Sequence, residues 1–238
     1  MGYKKLGILG GMGPLATYQL YKSIIESTPA KRDQDHIDMV ILNASYIPDR
    51  TANILEGKES PLPYLLEGCG TLENAGCDVI AIPCNTSHYF YSQLQANCKA
   101  EILNMVGLAA ERLSEQNIST VFLMATAGTI KAGIYEKYLS ARDIKILPAD
   151  ESEISVMMKT IYDIKAGIFP DLADITAIAR KYYMLGCKKI ILGCTELSLI
   201  KTDMENTAEI FGDLFVDSTE ALKNEILNLF GIKCHCEL

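Results

Sequence analysis

The strongest constraint on the fold is an alternation along the chain. Short, almost uninterrupted apolar runs alternate with longer stretches whose apolar residues recur at helical spacing. The runs are KLGILG (Lys5–Gly10), HIDMVILN (His36–Asn43), DVIAIP (Asp78–Pro83) and EILNM (Glu101–Met105), then STVFLMA (Ser119–Ala125), IKILP (Ile144–Pro148) and KKIILG (Lys188–Gly193). Between them lie PLATYQLYKSIIE, PLPYLLEGCGTLENAG, ISVMMKTIYDIKAG and LADITAIARKYYMLG, often closed by Gly as helices are. A strand with no polar alternation must be covered on both faces, and helices between parallel strands supply that cover. The expected class is α/β, with mainly parallel, doubly wound sheets.

The alternation occurs twice. AGCDVIAIPCNT (75–86) aligns without a gap to LGCKKIILGCTE (185–196), sharing Gly, Cys, Ile and a second Cys, and GILGGMGP (7–14) parallels VFLMATAG (121–128). Two pseudo-symmetric α/β domains with a cleft between them are therefore expected. The first comprises residues 1–110 and the second 111–212. LFVDSTEALKNEILNLF reads as a strand, an Asp217-Ser218 cap and a helix, so residues 213–238 are expected to return and complete the first domain.

Composition excludes several functions. A net charge of −8 over 238 residues opposes an electrostatic grip on nucleic acid or anionic membrane. No apolar run approaches a membrane-spanning length, and the N-terminus lacks a signal-peptide pattern, which predicts a cytoplasmic protein. Eight cysteines are present without a CxxC pair, arguing against a zinc ribbon or a thioredoxin-type motif. Disulfides are not expected in a reducing compartment. The tail KCHCEL, with Cys234, His235 and Cys236, reads as a frayed terminus rather than a soft-metal site. No metal is expected.

Ligands of parallel α/β sheets bind beyond the carboxyl ends of strands, where helix N-termini expose N–H groups. Cys84 and Cys194 both fall there. A thiol at such a position is either a reactive group stabilised as thiolate by those donors or a buried strand-end residue, and the repetition favours the first reading. Asn85, Thr86 and Thr195 follow them and offer side-chain hydrogen bonds and further N–H groups suited to a carboxylate. Cys77 and Cys187 repeat as well, but ahead of their strands, where packing is the expected role. GGMGPLA fits an anion-binding turn around Met12. As a dinucleotide fingerprint it lacks the acidic partner, since Asn43 ends the second strand. Arg50 in IPDRT is a bidentate carboxylate clamp or a surface residue. Lys165 contacts a ligand or answers a helix dipole, and Thr126 contacts a ligand or caps its helix. His88 reads as a hydrogen-bonded structural residue.

Taken in order, GGMGPLAT, DQDHI, IPDRT, PCNTSHYF and LGCTEL resemble the cofactor-independent aspartate/glutamate racemase family, nearest its aspartate racemase branch. The resemblance runs from Gly10 to about Leu197, with VDST near Asp217 as a weaker signal. It implies two pseudo-symmetric domains, an active-site cleft between them and a homodimer. It also implies a catalytic pair Cys84 and Cys194, Arg50 and Lys165 on the substrate, and Met12, Asn85 and Thr86 around its carboxylate. No cofactor is implied. Asn43-Ala44-Ser45-Tyr46 departs from the pattern common in the aspartate branch.

The expected activity is interconversion of L- and D-aspartate by proton transfer at Cα, one cysteine taking the proton and the other giving one. The partner is thus a small dicarboxylic amino acid, neither nucleic acid nor membrane. Glutamate, both amino acids, or a maleate isomerase-like reaction are the near alternatives; hydantoin racemases and arylmalonate decarboxylases share the cysteine pair. A dinucleotide-dependent oxidoreductase and a non-catalytic dicarboxylate-binding protein are the readings from other classes.

Overall fold

The computed structural model describes residues 5–208 and 211–232; the Cys234–Cys236 tail lies outside them. The first half runs β1 (Leu6–Gly10), α1 (Pro14–Ser27), β2 (Met39–Asn43), α2 (Arg50–Glu56), α3 (Leu62–Asn74), β3 (Val79–Ala81), α4 (Tyr91–Asn97), β4 (Glu101–Ile102) and α5 (Met105–Glu115). The second runs β5 (Thr120–Met124), α6 (Ala127–Lys131), α7 (Glu136–Ser140), β6 (Lys145–Leu147), α8 (Glu151–Lys165), α9 (Ala173–Met184), β7 (Lys189–Leu192), α10 (Thr195–Leu199), α11 (Lys201–Glu205), β8 (Phe215–Asp217) and α12 (Ser218–Leu229).

Two four-stranded sheets form, ordered β2-β1-β3-β4 and β6-β5-β7-β8, and every pairing is parallel. The fold is the expected α/β class, and the second order repeats the first strand for strand. In each sheet the chain steps outward from the first strand in one direction, then returns to continue in the other. The crevices between β1 and β3 and between β5 and β7 are therefore switch points, the preferred ligand sites of such sheets.

The C-terminal segment departs from expectation. Its strand β8 pairs with β7, Ile191 opposite Val216 and Leu192 opposite Asp217, so it completes the second sheet and not the first. It is the fourth strand that the repeat requires there. Its helix α12 lies against α5, α1 and α10, in contact with elements of both halves. The boundary expected after residue 110 falls inside α5. EILNM also pairs only over Glu101–Ile102, because the Asn104 side chain accepts the Gly107 N–H at 2.9 Å and starts α5.

Packing explains why the halves are not separate. Leu65, Leu72, Ile80 and Leu94 form an outer core of the first half, and Phe122, Met157, Ile161 and Ile190 one of the second. A third cluster runs between them, joining Leu6, Ile8 and Leu20 to Val121, Leu123, Val216 and Leu222 through α5 residues Val106 and Leu113. Cys77 and Cys187 lie in the outer cores.

The turn after β1 is closed by chemistry visible in the chain. Gly11 has φ +90°, and a Cβ there would meet the Ala44 backbone at 2.6 Å. Thr17 Oγ1 accepts the Gly11 N–H and donates to the Gly13 carbonyl, both at 2.9 Å. Gly11→Ala should cost at least about 2 kcal/mol through left-handed strain and this clash. An unchanged urea midpoint would show that Ala44 does not confine the turn.

Candidate active site

Each switch point delivers a turn and a cysteine. Beyond β1 and β3 lie Met12 and Cys84; beyond β5 and β7 lie Thr126 and Cys194. One pocket collects all of them, together with Arg50, Asn85, Thr86, Lys165 and Thr195. Every residue singled out from the sequence as a site candidate thus lines the same pocket. Asp49, Thr51, Tyr162 and Glu196 complete it. The free space between them is about 10 Å³, room for about one water.

Arg50 opens α2, whose N-cap Asp49 accepts the Ala52 N–H at 2.8 Å. Only 7% of Arg50 is exposed. It donates to the carbonyls of Pro48 at 3.0 Å, Met12 at 3.1 Å and Ile47 at 3.3 Å, while its Nε has no partner. Burial opposes its charge, but the neighbouring Cys84, Asp49 and Glu196 outweigh burial and raise its pKa. The approach of α2 to α6 depends on Gly128, where a Cβ would meet Thr51 Oγ1 at 2.8 Å.

Tyr162 and Lys165 lie three apart on α8 and face the pocket together. The Tyr162 hydroxyl donates to Asp49 Oδ2 at 3.0 Å, linking the two halves across the site. Burial and the neighbouring Asp49 push the phenol up to about 12. Lys165 Nζ sits 5.6 Å from the Tyr162 ring centre and 3.9 Å from Glu196 Oε1.

The cysteines differ in their surroundings. Both are buried. Cys194 Sγ donates to Glu196 Oε2 at 3.0 Å; burial first, then the Glu196 charge, raises this thiol well above its ordinary range, Lys165 opposing. Cys84 faces Arg50, and its carbonyl meets His88 Nδ1 at 2.9 Å. His88 also receives the Met105 N–H, at 3.3 Å, and burial lowers its pKa. It is a structural link and does not line the pocket.

The expected use of the polar side chains needs correction. Asn85 Oδ1 accepts the Tyr135 hydroxyl at 2.6 Å and its Nδ2 donates to Ser218 Oγ at 3.0 Å. Thr86 Oγ1 lies 3.0 Å from the Thr126 hydroxyl and 2.9 Å from that of Thr129, and Thr195 Oγ1 donates to Glu196. These side chains are engaged with the protein. What they leave for a ligand is backbone N–H groups, since the first turn of a helix has no intrahelical acceptors for them. Glu196 and Asp49 stand inside the quoted GCTE and IPDRT motifs, and Tyr162 is one turn from Lys165; the helical period signalled it. Thr51 closes the same IPDRT motif, directly after Arg50.

Among the described residues no group of three or more His, Cys, Asp or Glu is placed to hold a metal ion, and no helix is long and apolar enough to cross a membrane. A nearly closed, charged pocket between paired parallel sheets, with a thiol from each, defines an α/β enzyme acting on a small polar molecule. The Asp/Glu/Hydantoin racemase family matches residues 9–226, and the chain belongs to that family. It is a racemase, an isomerase. Its fold superimposes on Picrophilus torridus aspartate racemase with a TM-score of 0.80 and 30% identity, covering 98% of this chain and 97% of that one. The glutamate racemase of Francisella tularensis, solved with D-glutamate, shares the fold at a TM-score of 0.70 and 16% identity over 96% of this chain and 81% of that one. The broad specificity amino-acid racemase RacX of Bacillus subtilis is 29% identical over 157 residues, 63% of this chain and 67% of RacX.

Proposed function

We propose that this protein interconverts L- and D-aspartate without pyridoxal phosphate, with Cys84 and Cys194 as its acid/base pair. The observation that carries the reading is that a cysteine and a cation from each half line one pocket: Cys84 with Arg50, Cys194 with Lys165. Inverting a stereocentre by proton transfer needs a base on one face of Cα and an acid on the other. A thiolate takes the α-proton while the opposing thiol delivers its own, and the reverse reaction exchanges the roles. Negative charge developing on the α-carboxylate is stabilised by the N–H groups at Asn85, Thr86 and Thr195, in a site that excludes water. Arg50, through its unpartnered Nε, and Lys165 hold the side-chain carboxylate. Met12 and Thr126 shape the walls.

Similarity over the full chain to an aspartate racemase supports aspartate as the first substrate. Similarity to RacX favours a second reading, a wider range of amino acids, and the glutamate racemase of Aquifex pyrophilus, 26% identical over 188 residues, is the reason to include glutamate in it. A homodimer in the cytoplasm belongs to the same proposal. The half-exposed apolar edge strand β2, with Ile41 outward, supports self-association, and the six cysteines among the described residues, all unbridged, suit a reducing compartment.

The test is proton NMR in deuterated buffer, with circular dichroism, on L- and D-Asp, L- and D-Glu and maleate, no cofactor being added. Aspartate should lose its Cα–H signal, and both enantiomers should drift to zero ellipticity. Absence of exchange with both amino acids would refute the racemase reading of the site.

A further inference from the structure

The repeat that builds the two thiols breaks two residues beyond them. Cys84-Asn85-Thr86 in the first half corresponds to Cys194-Thr195-Glu196 in the second, so only one sulfur has a carboxylate beside it. Glu196 is 3% exposed. Its Oε2 accepts from Cys194 Sγ at 3.0 Å and from Thr195 Oγ1 at 3.3 Å. Its Oε1 stands 3.0 Å from the place a Gly13 Cβ would take, and 3.9 Å from Lys165 Nζ. The carboxylate is thus wedged between the β1 turn and the second cysteine, beyond hydrogen-bond reach of the lysine.

Resting on the racemase reading above, we infer that Glu196 is a positioning residue that holds Cys194 as the protonated acid of the free enzyme and leaves Cys84, which faces Arg50, as its base. The physical reason is local. A carboxylate that accepts a thiol proton stabilises the neutral sulfur, and it repels a thiolate in the same buried space. The titratable groups facing Cys194 are Glu196 from α10, Lys165 and Tyr162 from α8, and Tyr135 ahead of α7. Lys165 alone among them favours a thiolate. Cys84 has no acid at the corresponding position.

The pair is therefore sorted before substrate arrives. One turnover transfers the proton of Cys194 to Cα and the α-proton to Cys84, leaving the thiolate beside Glu196 and the thiol beside Arg50. That form lies uphill, and the free enzyme must return from it by proton exchange with solvent or by running the reaction backwards.

Glu196→Gln keeps the size and an acceptor oxygen but removes the charge. With carbon-13 at cysteine Cβ, and signals assigned through Cys84→Ala and Cys194→Ala, NMR follows each sulfur against pH. In the wild type Cys194 should stay a thiol to a higher pH than Cys84. In Glu196→Gln its midpoint should fall by about one pH unit, roughly tenfold more thiolate at a fixed pH, with Cys84 unmoved. The alkaline limb of kcat/KM should fall by the same amount. Glu196→Asp, which keeps the charge one methylene back, should lie between the two. A Cys194 midpoint unmoved in Glu196→Gln, or a wild-type Cys84 that holds its proton longer than Cys194, would overturn the assignment. The NMR titration reads Glu196 whether or not aspartate is the substrate, so its failure is distinguishable from failure of the racemase reading.

Discussion

Cys84→Ala and Cys194→Ala are each expected to lower kcat/KM for aspartate racemisation by roughly a hundred- to ten-thousandfold, the contribution of a positioned acid or base. The loss must be equal in the two directions. L- and D-aspartate have the same free energy in water, so the ratio of their kcat/KM values is tied to an equilibrium constant of unity in every variant. The asymmetry of the pair appears elsewhere. A variant that keeps one sulfur can still take the proton from the face that sulfur addresses, so it should wash deuterium into one enantiomer with retention while hardly touching the other. The two variants should prefer opposite enantiomers. Normal racemisation in either variant would remove the two-thiol mechanism, and identical enantiomer preference would put both sulfurs on one face.

The second large effect belongs to Arg50. Arg50→Ala removes the cation opposite Cys84 and three hydrogen bonds that hold the carbonyls of Ile47, Pro48 and Met12. Truncating one partner of a buried, hydrogen-bonded charge costs about 2–5 kcal/mol. The expected loss in kcat/KM for aspartate is therefore roughly a hundredfold or more. Dicarboxylic substrates should suffer most, and slow exchange on alanine should change far less. Part of the cost is structural, so the melting temperature should fall as well. Arg50→Lys restores the charge but cannot span three carbonyls, and it should recover stability less than activity. Aspartate turnover unchanged by Arg50→Ala would take the guanidinium out of the substrate's reach.

The parallel strands were legible because their apolar runs are continuous, and the site because the repeat ends each third strand in a cysteine. Arg50 and Lys165 needed the family resemblance to stand out from surface charges, since nothing in their local spacing marks burial. The engagement of Asn85 with Tyr135 and Ser218 was hidden for a different reason. Those partners lie 50 and 133 positions away, and short-range pattern carries no information about such contacts. The same limit sent β8 to the wrong sheet: a three-residue strand looks the same whichever edge it joins, and only pairing decides. Glu196 was in plain view within GCTE, yet its importance lies in what Thr86 lacks at the matching place.

Prising the sheets apart like the covers of a book would expose the apolar spine that Leu6, Val106, Val121 and Leu222 share. Uncovering even about 400 Å² of it would cost on the order of 10 kcal/mol. Releasing the Tyr162–Asp49 contact costs no more than about 1.5–3 kcal/mol. Aspartate, too large for a water-sized hollow, is accordingly expected to pass a small door hinged near the last turn of α8, with the spine intact throughout.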